Sequence, residues 1–175
     1  MQRVTKRGRT IIGPDGSMLG AGDKVPCELA MQRACNESRQ VYEAWYKLRR
    51  PDGLPSLADW DAADAVPDLR DSILVTEVLS ASNDYRYLRM GKRAAEVRGY
   101  DSTGRTVRDC YEGEGLDFVL ENYDLAIGNP CGIIDFSIEV VSDHRFIELE
   151  TLLLPLADDG KTPSHVLVYG HYLVR

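Results

Sequence analysis

Ile134, Phe136, Ile138 and Val140 alternate with Asp135, Ser137 and Glu139. Successive side chains of a strand point to opposite faces, so this run predicts a strand with one apolar and one wet face. Such a strand belongs in an antiparallel sheet covered on one side, and the rest of the chain must supply the cover. Two more strand signals follow, Arg145–Leu154 and Val166–Val174. Ser142-Asp143-His144 predicts the turn between the first two. Asp158-Asp159-Gly160-Lys161 predicts a hairpin, because Asp-Gly supplies the positive φ angles of a type I′ turn. Glu148 and Glu150 share a parity on the middle strand. Upstream, Ile73–Leu79 is β-branched and apolar and Tyr85–Met90 alternates, with Ala81-Ser82-Asn83-Asp84 as the turn between them.

The cover is helical. Between Glu28 and Arg49, residues Met31, Ala34, Ser38, Val41, Trp45 and Leu48 recur at steps of three and four, and Pro51 and Gly53 end the run. The stripe has two readings: it packs on its own sheet, or it pairs with the same helix of a second copy through Met31, Ser38, Val41, Trp45 and Leu48. Ser56 ahead of Asp59 has the spacing of a helix N-cap, and a second short helical turn is expected from Ala62 to Val66, before Pro67. Another turn is expected at Val107–Glu112. Leu116, Val119, Leu120, Tyr123 and Ile127 mark one face of a longer helix, with Gly128 and Pro130 as its stop. Residues 1–26 are glycine-rich and predict a flexible tail with one extended piece at Thr10-Ile11-Ile12. The expected division is a tail at 1–26, a flanking helix at 27–50 and the main domain at 51–175.

With 175 residues the chain has room for one core. A net charge of −7 argues against gripping nucleic acid, despite Arg3, Lys6, Arg7 and Arg9 at the N-terminus. No apolar run has the length to span a membrane, so a cytoplasmic protein is expected. Cys27, Cys35, Cys110 and Cys131 show no Cys-x-x-Cys spacing and are expected as free thiols. His165 and His171 lie six residues apart on one strand, ~20 Å, too far to share a metal. The acids Asp59, Asp61, Asp64, Asp68 and Asp71 do not match a calcium loop. No metal site and no catalytic residue is expected.

Gly91-Lys92-Arg93-Ala94-Ala95, Gly99-Tyr100 and Gly104-Arg105 lay out strand, turn, short helix and turn. This stretch resembles PAS domains, whose second strand ends in Asn-x-Ala-Ala, followed by Gly-Tyr and a further glycine; here glycine replaces the asparagine. Trp45, Leu54-Pro55-Ser56, Arg86-Tyr87 and Leu152-Leu153-Leu154-Pro155-Leu156 with Asp159-Gly160 are similar, in order, to a proteobacterial family of short standalone PAS-like proteins. Leu88-Arg89 stand in reversed order, and Lys92 stands where threonine is common.

The resemblance implies an α+β fold: a five-stranded antiparallel sheet, short helices on one face and a flanking N-terminal helix. It implies a non-catalytic regulatory module that forms a homodimer through that helix and signals to a separate protein partner by population shift. A small organic ligand would sit in the sheet–helix cavity, among Tyr87, Arg89, Val119, Tyr123, Phe136 and Leu153. Arg89 either points inward, where a carboxylate ligand would suit it, or lies on the exposed face. Tyr87 and Tyr123 are either ligand handles or core residues. Neither haem nor flavin is expected: Leu116–Ile127 holds no histidine, and Arg108-Asp109-Cys110-Tyr111-Glu112 lacks the flavin-linking motif. The alternatives are a small-molecule enzyme on a cone-like α+β fold, with a buried acid from Asp109–Glu114, and a structural dimer.

Overall fold

Strand-forming runs at both ends of the chain meet in one sheet. The computed structural model describes residues 9–12, 17–20, 23–26, 31, 33–136, 139–141 and 144–174. The strands are β1 (Arg9–Ile12), β2 (Ser17–Gly20), β3 (Asp23–Pro26), β4 (Ile73–Leu79), β5 (Asp84–Met90), β6 (Ile133–Asp135), β7 (Glu139–Val141), β8 (Phe146–Leu156) and β9 (His165–Val174). The helices are α1 (Asn36–Lys47), α2 (Leu57–Ala63), α3 (Lys92–Arg98), α4 (Val107–Cys110) and α5 (Gly113–Ile127), with a 3-10 helix at Pro67–Ser72. The sheet is antiparallel and runs β3-β2-β1-β6-β8-β9-β4-β5, with β7 also on β8.

Three features differ from the sequence reading. Residues 9–26, expected as a tail, contribute β1, β2 and β3, and β1 extends the sheet beside β6. The alternating Ile134–Val140 run is not one strand: β6 pairs with Leu153–Thr151 of β8, and β7 pairs with Glu148–Phe146. Nor is one face of β6 wet, since Ile133, Ile134, Asp135 and Phe136 are all buried.

The reason is that helices cover both faces. On one face, Val41 and Trp45 of α1 and Trp60 of α2 pack with Ile73, Val75, Ile134, Leu152, Leu154, Leu156, Leu167 and Tyr169. On the other, Tyr123 and Ala126 of α5 and Val107 of α4 pack with Leu74, Tyr85, Tyr87, Ile133, Leu153, Val166 and Val168. A strand buried on both sides needs no polar parity, which accounts for the unbroken Leu152-Leu153-Leu154 run.

The α1 stripe therefore belongs to its own sheet. Ser38, Val41 and Trp45 are 0% exposed, and Met31 and Leu48 pack against the same cluster. The Trp45 Nε1–H donates to the Pro155 carbonyl at 3.0 Å. This corrects the assignment of Met31, Ser38, Val41, Trp45 and Leu48 to a dimer contact. The apolar β8–β9 face needs that cover, and α1 supplies it within the chain. Glu150 fixes the start of α1: its carboxylate accepts from the Cys35 N–H at 2.8 and 3.0 Å and from the Ser38 hydroxyl at 2.8 Å.

Local signals hold more closely. Ser56 and Asp59 form a reciprocal capping box, each backbone N–H donating to the other side chain at 3.0 Å. The helix they open, as the N-cap spacing predicts, is Leu57–Ala63, ending at Asp64 in the left-handed region (φ 42°); the second helical turn expected through Ala62 to Val66 does not form. The β8–β9 connection is longer than a type I′ hairpin, since only Gly160 of the Asp-Gly pair has positive φ (78°). Asp159 Oδ1 instead accepts from the Lys161 and Thr162 N–H groups at 2.7 Å each. Among the described residues, no helix is long and apolar enough to cross a membrane.

Candidate ligand site

The segment between β5 and β6 roofs one face of the sheet. Gly91 opens it: its N–H donates to the Ile73 carbonyl at 2.8 Å, and a Cβ there would come within 2.4 Å of the Asp71 carbonyl oxygen. Only glycine lets the chain turn from β5 into α3 at that distance. Gly99, with φ 83°, stops α3 directly after Arg98. The following loop runs along β5, with the Tyr87 N–H donating to the Arg105 carbonyl at 2.9 Å and the Gly104 N–H donating to the Tyr87 carbonyl at 2.8 Å. The Thr106–Asp109 capping box then starts α4.

Under this roof lies a cavity of about 210 Å³, bounded by Tyr87, Arg98, Tyr111, Val119, Asn122, Tyr123, Glu148 and Leu153 among others. Arg98 turns in from the end of α3, and its Nη1 donates to the Tyr111 hydroxyl. Burial opposes its charge, but the Tyr111, Tyr172 and Tyr87 oxygens and Glu148 outweigh that and keep it protonated. Its Nε is out of solvent and without a hydrogen-bond partner. Glu148 is buried and accepts from the Thr151 hydroxyl at 2.7 Å. Burial pushes its carboxyl above the ordinary range, against the pull of Arg98 and Thr151. Asn122 donates through Nδ2 to Asp135 at 2.9 Å, while its Oδ1 is buried and unpartnered. Burial likewise raises the hydroxyls of Tyr87, Tyr111, Tyr123 and Tyr172.

Two β-bulges decide which side chains reach the cavity. Along β4–β5, Val75 pairs with Arg89 but Thr76 pairs with Tyr87, leaving Leu88 as the extra residue. Tyr87 faces the cavity and Arg89, two residues on, does not. Along β8–β9, Glu148 pairs with Tyr172 and Glu150 with His171, leaving Leu149 extra. Glu148 therefore enters the cavity while Glu150 lies under α1 on the other face, although they share a parity in the sequence.

Four of the six expected pocket residues line the cavity: Tyr87, Val119, Tyr123 and Leu153. Arg89 is a correction. It is 48% exposed, pairs with Asp61 and borders a separate open cleft of about 650 Å³ beside α2. Phe136 is the second correction. It follows Asp135 on the opposite parity, so it joins the core beneath α1, with the Arg33 guanidinium 5.4 Å from its ring centroid. The sequence reading missed Arg98, Tyr111, Asn122, Glu148 and Tyr172. The available signal was Arg98 immediately before the Gly99-Tyr100 pair, a cation placed at the end of a roof helix.

Outside the cavity, Cys35, Glu37 and His171 each offer one atom within 4.8 Å of the others. Burial pushes the Cys35 thiol up to about 11, and its Sγ caps α1 by accepting from the Ser38 N–H at 3.4 Å. Cys35, Cys110 and Cys131 are free thiols; Cys27 lies outside the described residues. His165 meets the Ser164 hydroxyl at 2.9 Å. Asp109 is an exposed cap residue, its carboxyl held low by the Thr106 N–H, and is not a buried acid. No known protein-family model matches the chain, and no curated protein matches it significantly.

Proposed function

We propose that the chain is a non-catalytic, cytoplasmic, PAS-like sensory module that holds a small organic ligand between α3–α5 and the sheet and signals to a separate protein. One observation carries the reading. Counted 1 to 5 along the chain, β4, β5, β6, β8 and β9 lie in the order 2-1-5-4-3, with the short helices inserted between the second and third over a cavity. PAS domains use that order. The PAS-like motif residues support it from the other direction, since Gly91 and Gly99 are the turns that build the roof. Ligand occupancy would favour one packing of α3–α5 on the sheet and so bias a two-state equilibrium. Native mass spectrometry of the chain purified from its own host is the test. A retained small molecule whose removal speeds amide exchange in α3–α5 supports the reading. Removal that speeds exchange only elsewhere refutes it.

A second reading, a small-molecule enzyme, gains one specific observation: Glu148 is a carboxyl raised by burial and facing a cavity, as a general acid would be. Incubating the retained molecule with the chain separates the two. Chemical conversion that stops in Glu148→Gln favours the enzyme, and unchanged recovery favours the sensor.

A further inference from the structure

The polar groups of the cavity are unevenly matched. Glu148 holds the Thr151 hydroxyl, and Asp135 holds the Asn122 amide nitrogen. Two polar atoms are left over: the cationic Arg98 Nε–H, a donor, and the neutral Asn122 Oδ1, an acceptor. Buried donors and acceptors are almost always satisfied, and water or a ligand completes those the protein leaves open. Arg98 and Asn122 both line the cavity, from the end of α3 and the middle of α5, so one molecule that meets both after small side-chain shifts reaches across it. Part of the wall is aromatic, from Tyr87, Tyr100, Tyr111, Phe118 and Tyr123. The volume of about 210 Å³ lies below the ~300–1,000 Å³ of ordinary ligand pockets, which suits a small occupant such as one ring and its substituents.

We propose that the cavity takes a small aromatic carboxylic acid with a hydrogen-bond donor on its ring, the carboxylate resting on Arg98 and the donor on Asn122 Oδ1. This rests on reading the cavity as a ligand site. An amine would suit the two acids, but both already have partners, whereas the cation has an N–H to give. The Arg98 guanidinium holds Tyr111 through Nη1 and has its Nε–H left to give to an anion. Burial raises the Glu148 carboxyl, which lessens the repulsion a second carboxylate meets beside it. No bond is made or broken.

The test is titration calorimetry of the full chain with 4-hydroxybenzoate, its methyl ester and benzoate, followed by amide chemical shifts. The acid should bind at least about tenfold more tightly than the ester, the span expected for a hydrogen bond to a charged group. Benzoate should bind more weakly than 4-hydroxybenzoate. In Arg98→Gln the preference for acid over ester should vanish while ester binding persists. If Arg98→Gln does not fold, the acid–ester comparison on the natural chain still decides. Equal binding of acid and ester overturns the charge recognition but leaves the ligand cavity standing. Equal binding of benzoate and 4-hydroxybenzoate overturns the role of Asn122. If none of the three binds and no cavity amide shifts, this proposal fails, and the ligand cavity then needs an occupant of another class, shown by a retained host molecule.

Discussion

Truncating Trp45 to alanine tests whether α1 belongs to the sheet of its own chain. The indole is 0% exposed, its Nε1–H meets the Pro155 carbonyl at 3.0 Å, and it packs beside Tyr42 with ring centroids 5.9 Å apart. Removing a buried Trp or Phe side chain to alanine costs about 3–5 kcal/mol. Losing the hydrogen bond to Pro155 adds about 1 kcal/mol. A loss of about 5 kcal/mol is a large share of the ~5–15 kcal/mol that holds a domain folded. For a chain of this length it corresponds to a fall in Tm of about 10–20 °C. Urea unfolding followed by far-UV circular dichroism measures the loss, and Trp60 remains as the fluorescent reporter. Trp45→Phe keeps most of the apolar contact and should lose only about 1–2 kcal/mol. If Trp45→Ala stays within about 1 kcal/mol of the natural chain, the stripe is not buried as described. If its mass in solution halves with stability unchanged, α1 pairs with a second copy instead.

Three further outcomes are expected. Glu150→Gln removes a buried acceptor from Cys35 N–H and Ser38 Oγ and a negative charge from the first turn of α1, so a loss of about 2–3 kcal/mol should appear in thermal melts. At Gly170 an added Cβ would come within 2.1 Å of the Tyr172 hydroxyl and 2.2 Å of its ring carbon Cζ, so Gly170→Ala should cost about 1–3 kcal/mol; Tyr172→Ala, which removes the ring, should cost less in that background than in the natural chain, measured as a double-mutant cycle. Burial raises the hydroxyl pKa of Tyr87, Tyr111, Tyr123 and Tyr172, so the folded chain keeps protons that the unfolded chain releases near pH 10. Stability is full below that pH and should fall as the pH rises above it. Phenolate absorbance of all nine tyrosines developing in full ahead of any loss of ellipticity would show that these hydroxyls are not buried.

Much of the fold was legible because its signals are local. The α1 stripe, the Ser56–Asp59 capping box, the α5 face and the β4–β5 hairpin each depend on residues a few positions apart. Within 9–26 the extended piece at Thr10-Ile11-Ile12 was legible and is β1; β2 and β3 were missed behind the glycines, and nothing local shows that β1 docks on β6, more than a hundred residues away. The cavity was half legible. Tyr87, Val119, Tyr123 and Leu153 follow from strand and helix periodicity, but Arg89 and Glu148 were placed by bulges, and period-two counting assumes there are none. Phe136 failed differently: the alternation was right, but the expected wet face is a second core. Arg98 reaches the cavity only because Gly99 ends α3 at that residue.

The extra residue Leu149 works like a shift of frame in a message read two letters at a time. Upstream of it, even-numbered positions of β8 speak to the cavity; downstream, they speak to α1. Its consequence is mechanical. Glu148 touches the cavity and Glu150 clasps the first turn of α1, so one stiff strand has a grip on two separate layers within two residues. A displacement of β8 at Glu148 must be taken up inside the bulge or be handed through the sheet to the start of α1.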